Sequence, residues 1–239
     1  MENWKQAFWL TKFELKYYIK SFLLLVAILI MLLIFIVPTM AEYLDNGFLS
    51  IDIFFIISFC LVTHWIRPKP FKIEDINSGF LLSPYLVLLQ RLPTRKKIIV
   101  KHRFFTYLII SISFNILFLI SFYLLTPVIH DTMTIGSYTA FSIFWLCFSI
   151  YFGCLELIPD TGINKVPAIL RNLLLGFLLI IVMIYLFYKA YSHGFVHWTM
   201  EISTNHPVIV MLVSLILAIL GFKFWMRRMF RKIEMTDYL

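Results

Sequence analysis

His193, His197 and Glu201 are spaced four and four apart, which puts three side chains on one face of a helix. Two imidazoles and a carboxylate suit a divalent metal. Tyr191, Phe195, Trp198, Met200 and Ile202 run between and beside them, so polar positions on an amphipathic interfacial stretch account equally for the triplet. Glu156 stands near the end of a long apolar run, one turn after Gly153. A carboxylate there serves an ion path or pairs with a base, and Lys165 and Arg171 follow closely in sequence. Hydrolytic sets are missing: there is no His-Glu-x-x-His, and Asp52 and Asp131 lie at opposite ends of different apolar runs. Ser58, Ser111, Ser113 and Ser121 sit inside such runs, where hydroxyls join helices to one another. No Gly-x4-Gly-Lys-[Ser/Thr] loop occurs among the eight glycines, so any ATP-driven work needs a nucleotide site on a partner, and the chain is expected not to be an enzyme. Cys60, Cys147 and Cys154 all fall in apolar runs and form neither a disulfide framework nor a zinc pattern.

These residues must be positioned by membrane spans. A chain that is 61% hydrophobic and 14% charged has too little polar surface to cover a soluble globule, which excludes a water-soluble α/β domain. The apolar runs are Phe22–Ala41, Phe48–Ile66, Phe104–Ile129, Thr132–Leu155, Asn172–Tyr188 and Pro207–Phe222. Each approaches the roughly 20 residues needed to cross ~30 Å of hydrocarbon. With the N-terminus inside, twenty of the 21 Lys and Arg residues fall on the cytoplasmic side and only Lys189 lies outside. The expected fold is an all-α integral membrane protein in a single domain, with six transmembrane helices, both termini cytoplasmic and an N-terminal interfacial helix. The net charge of +8 sits beside spans, so it reads as attraction to anionic headgroups of the lipid bilayer and not to nucleic acid.

Residues 1–20 carry Lys5, Lys12 and Lys16 on one helical face, with Trp4, Phe8, Leu15 and Tyr18 stepping round the other. The first span is expected to be retained, its uncharged run being too long for a cleaved signal. Arg67-Pro68-Lys69-Pro70 stops the second span. The loop 67–103 is the largest feature outside the spans. Within it Leu92-Pro93-Thr94 breaks the chain, with Thr94 as N-cap of a short basic helix, Thr94–Val100. A tight turn at His130-Asp131 joins the third and fourth spans, and 189–206 is an aromatic segment dipping into the outer interface.

This arrangement resembles the permease subunits of ABC transporters of the type-2 exporter class. The resemblance rests on the basic helix Trp4–Lys20 and the elbow Leu92-Pro93-Thr94-Arg95-Lys96-Lys97-Ile98-Ile99. Six spans with both ends inside, the outer aromatic segment and the basic stretch Arg227–Lys232 followed by Asp237 also fit. It implies that the elbow, residues Leu92, Pro93, Thr94, Arg95, Lys96, Lys97, Ile98 and Ile99, docks on a separate ATPase that holds ATP and Mg. It also implies a second permease copy or paralogue, and a path between spans two and five. Span two offers Ser58, Thr63 and His64 to that path, and span five Asn172, Tyr185 and Tyr188. No charge marks the span centres and Phe occurs 25 times, so a hydrophobic or amphipathic peptide, lipid or drug suits such a path better than a small ion. The competing reading is a non-transporting immunity or assembly protein of the bacterial cell membrane that binds a partner.

Overall fold

A computed structural model describes residues 2–47, 49–77, 80–164, 178, 181–182, 184–189, 191 and 193–235. The N-terminal helix α1 (Glu2–Tyr17) ends at a turn on Tyr18, and α2 (Ile19–Asn46) starts at once. Then come α3 (Leu49–Trp65), the short strands β1 (Glu74–Asn77) and β2 (Phe80–Leu82), α4 (Pro84–Arg91) and α5 (Lys96–Leu125). The short α6 (Pro127–Thr132) and then α7 (Ile135–Gly153) follow, two 3-10 turns at Cys154–Leu157 and Pro159–Thr161, and β3 (Ile163–Asn164). Helices α8 (Phe195–Asn205) and α9 (Pro207–Met235) close the described chain.

Among the described residues, four segments are long and apolar enough to cross a membrane: Ser21–Asn46, Lys96–Leu125, Ile135–Thr161 and Pro207–Met235. The second expected span is the shorter α3, with 17 residues. Most of the fifth, Asn172–Tyr188, lies outside the described residues, as do Lys165, Arg171 and Asp237.

Three expectations change. First, the chain is not wholly helical. β1 pairs antiparallel with β2 (Glu74 opposite Leu82), and β2 pairs with β3 (Leu81 opposite Ile163), which ties the loop after α3 to the chain after α7. Second, Thr94–Val100 is not a separate helix. Lys and Arg are good helix formers and nothing breaks the chain at Phe104, so α5 runs unbroken for 30 residues from Lys96. Arg95, in extended backbone, occupies the N-cap position, while the Thr94 hydroxyl donates back to the Leu89 carbonyl at 3.0 Å. The short helix at this corner is α4, before the break. Third, α1 is more than an interfacial helix. Its Ala7, Thr11 and Glu14 stripe is fully buried, and Lys101 lies 3.7 Å over the Trp4 ring, pinning α1 along the start of α5.

The core between α3, α5 and α7 is aromatic. Phe55 and Phe59 stack on each other and meet Phe118, Phe122 and Trp145 edge-on or tilted, with ring centroids 5.0–5.9 Å apart. Helix α9 lies along α7 through a stripe of small residues, Ser214, Ala218 and Gly221, where close approach replaces a hydrophobic driving force that lipid does not supply. A side chain at Gly221 would run into the Tyr151 ring. Gly221→Leu should therefore cost about 1–3 kcal/mol through overpacking. Thermal unfolding in detergent should show a Tm several degrees lower, whereas Leu220→Ala, on the exposed side of the same turn, should leave it within a degree or two.

Candidate functional site

The start of α5 and the ends of α1, α3, α7 and α9 meet at one end of the molecule, and at its centre five charged or ionisable side chains are buried. Glu14 and Asp160 are 0% exposed, His102 0%, Arg103 2% and Arg67 6%. Arg103 is the hub. Its Nη1 donates to Glu14 Oε1 at 2.8 Å, while Nε (3.1 Å) and Nη2 donate to Asp160 Oδ2. Arg67 Nη1 donates to the other Asp160 oxygen at 2.6 Å, and His102 Nε2 lies 2.9 Å from Glu14 Oε2, which also accepts from the Thr106 hydroxyl at 3.1 Å. Two guanidinium groups thus face two carboxylates, and the forked geometry of Arg lets one side chain hold both acids.

Four elements supply these groups, and each places its own by local rules. Helical spacing sets Glu14 on the stripe with Ala7 and Thr11. Pro68 ends α3 and leaves Arg67 at the break. The unbroken α5 presents Arg103 and Thr106 from adjacent turns. The turn at Pro159 delivers Asp160 after α7. Burial alone would raise the Glu14 carboxyl, but Arg103 first, and then His102 and Thr106, outweigh it and lower it from 4.5 to about 2. Burial, and then Glu14, pushes the nearby Tyr85 phenol up to about 12.

Next to this cluster, further along the helices, Thr63 donates to Glu156 Oε2 at 2.6 Å, so Glu156 is held by α3. Tyr107, Ser111, Asn115 and Ser149 form a hydrogen-bonded group between α5 and α7, with Ser111 and Ser149 hydroxyls 2.8 Å apart. It stops at the aromatic core.

At the opposite end another buried carboxylate organises the chain. Helix α8 starts deep: the Phe195 ring packs on Phe144, Trp145 and Phe148, and Trp145 Nε1 donates to Thr199 at 3.3 Å. Trp145 is near the middle of α7, so the segment expected to dip into the interface reaches that far. The first amides of a helix have no partner within it, and at such depth water does not supply one. Asp52 Oδ1 accepts from the Val196 amide at 2.8 Å and from the Tyr43 hydroxyl at 2.7 Å, and Tyr43 accepts from the His197 amide at 3.0 Å. Gly194 precedes this seat because any side chain there would strike Asp52 and Tyr43.

Of the residues expected to line a path, the described ones are not gathered in one place. Ser58 donates to Phe54 within its own helix, Thr63 holds Glu156, and His64 is exposed. Tyr188 reaches the Asn46 carbonyl at 3.2 Å at the far end, Tyr185 is exposed, and Asn172 lies outside the described residues. Of the elbow, Leu92, Pro93 and Arg95 are exposed while Ile98 and Ile99 are buried. Lys96 Nζ lies 3.4 Å from the Ile233 carbonyl and Lys97 faces the Phe230 ring, so both lysines tie the corner to α9. His193 and His197 stack at 4.6 Å, and among the described residues no group of three potential ligands gathers around a metal position. By sequence alone Arg67 and Arg103 count among the headgroup-facing cations and Asp52 is only an acid at one end of an apolar run, while Glu14, His102 and Asp160 carry no motif. The one available signal was Glu14 as an isolated acid on the lysine-rich N-terminal helix.

No family model matches the chain, and neither a curated protein nor a solved structure matches it.

Replacing Glu14 by Gln leaves Arg103 with one buried carboxylate and should cost about 3–5 kcal/mol. Because the folded Glu14 titrates below its ordinary 4.5, its contribution is complete above that pH and is lost as pH falls towards about 2. Thermal unfolding of the unaltered chain should weaken on acidification below about 4.5, and Glu14→Gln should remove much of that slope while lowering Tm at pH 7. At the other end, Gly194→Ala should expose α8 to hydrogen exchange from Phe195 to Thr199 and leave α1 protected.

Proposed function

We propose that the chain is the membrane-spanning permease subunit of an ATP-driven exporter of the ABC type-2 class that it resembles. In this reading six spans cross a bacterial plasma membrane with both termini cytoplasmic, and a second copy or paralogue completes a path for a hydrophobic or amphipathic substrate. A partner subunit supplies the hydrolysis of ATP.

The observation that carries this reading is a projecting corner with anchored flanks. Arg91, Leu92, Pro93 and Arg95 are exposed between α4 and α5, with Leu88 also exposed, so an apolar tip is flanked by cations. Behind the tip, Leu86 and Leu89 of α4 pack with Ile99, Val100 and Phe104 of α5 and with Met229 and Ile233 of α9. Arg103 then links α5 to α1 and to Asp160. A push at the tip therefore moves α1, α5 and α9 together, whereas a loop with loose flanks would absorb it. Such a corner suits docking to a soluble motor subunit. An immunity or assembly role needs no such rigid link from a surface tip to several spans.

The test starts with affinity purification of the chain from its native membrane together with an ATPase subunit. Arg91→Glu with Arg95→Glu changes only exposed side chains, so insertion and Tm should hold, within about 0.5 kcal/mol. ATP hydrolysis should persist while export driven by it falls at least tenfold. Failure to recover any ATPase, or unimpaired export in the double variant, would remove this function.

A further inference from the structure

Where α1 meets α2, an open groove of about 390 Å³ runs along α5. Its walls are Tyr18 at the turn, Phe22 and Leu25 of α2, and Ile110, Phe114 and Leu117 of α5, with hydroxyls from Ser21 and Ser113. We propose that this groove holds one acyl chain of an anionic phospholipid, with the headgroup beside the end of α1. The proposal does not depend on the transport reading.

Three observations select this occupant. Phe22, Leu25 and the α5 residues all lie inside segments long and apolar enough to span, so the groove opens at hydrocarbon depth, where its neighbours are lipid chains. From Ile109 to Leu117 the α5 wall is ~12 Å long at ~1.5 Å per residue, against ~15 Å for one leaflet of a ~30 Å core. The groove is therefore of acyl-chain length and stops near mid-bilayer.

The third observation is charge. The Tyr18 end adjoins a water-sized void of about 10 Å³ that shares Tyr18 and Ile110 and is bounded by Arg67 and Arg103. Those two guanidinium groups are committed to Glu14 and Asp160, so they do not hold a headgroup, and the void is too small for a phosphate. Among the described side chains, the cations available to a headgroup are on the exposed side of the last turns of α1, Lys12 and Lys16, the latter two residues before Tyr18. Exposed Trp9, Phe13 and Tyr17 on the same turns fit the headgroup boundary.

Lipid chains are as apolar as the groove, so burial of the chain by itself gives no preference over bulk lipid. Selectivity comes from the two lysines and from the shape of the slot. A preference of about thirtyfold for an anionic over a zwitterionic headgroup is expected from two such cations. A bound chain would wedge the joint at which α1 turns into α2, beside the buried ion cluster.

The test uses the full chain in nanodiscs with spin-labelled phosphatidylglycerol or phosphatidylcholine, reading the motionally restricted lipid. Phosphatidylglycerol should show a restricted component about thirty times stronger in affinity. Ser113→Trp, which fills the exposed part of the slot, should abolish it, and Leu220→Trp on the exposed face of α9 should not. Lys12→Gln with Lys16→Gln, both on the surface and independent of packing, should bring the two lipids to equal affinity. Equal restriction of both lipids by the unaltered chain overturns the proposal. So does a restricted component that survives Ser113→Trp, or a charge preference that survives the lysine pair.

Discussion

A buried guanidinium has few tolerable environments, and Arg103 has found one that needs two carboxylates from distant parts of the chain. Taking a cation out of water costs several kcal/mol, which is recovered only with good geometry and satisfied donors. Arg103 meets that condition by splitting its fork between Glu14 and Asp160. The rest of the basic end follows from this need. Helix α1 must lie against α5 for Glu14 to reach, the turn after α7 must fold back for Asp160 to reach, and Arg67 then balances the second acid. The small sheet joining the loop after α3 to the chain after α7 closes over the same junction.

The opposite end solves a related problem with partial charges in place of a full cation. There the uncompensated groups are the amides at the start of α8, and the anion is Asp52. Between the two ends lies the aromatic core, whose phenylalanines carry no polar atom and whose Trp145 indole is already committed to Thr199, so among the described residues no polar chain bridges the ends through it. The molecule is thus polar and tied together at both ends and held in its middle by ring packing. Motion is easiest to imagine as tilting of helices about that middle, since α2 and α9 leave long exposed apolar faces that slide against lipid without breaking a hydrogen bond.

How much of this was legible depends on distance along the chain. Spans are local: a run such as Pro207–Phe222 declares itself, and Pro207–Met235 is indeed helical. The continuity of α5 was hidden because the Leu92-Pro93-Thr94 break suggested a second helix with its own end, whereas Lys96 to Arg103 simply begins the long one. Thr94 looked like a cap by type, yet its hydroxyl is used on Leu89. The buried clusters were hardly legible at all. Glu14 and Arg103 are 89 residues apart and Asp52 and Val196 are 144 apart, so no window of sequence contains both partners. Beside Lys96, Lys97 and Lys101, Arg103 looks like one more headgroup cation. Only its neighbours in space separate it from Lys101, whose charge lies over the Trp4 ring.

The order of synthesis gives the Arg103 cluster a history. Glu14 precedes Arg103 from the ribosome, but Asp160 emerges 57 residues later, roughly 3 to 11 seconds at ~5–20 residues per second. During that interval the nascent third hydrophobic segment has one carboxylate, not two, to accompany its arginine. The N-terminal helix therefore acts first as an escort, keeping a costly cation company at the membrane surface until α7 is threaded and its turn arrives. A chain lacking that helix would meet its difficulty at the translocon, well before any finished protein could show a defect.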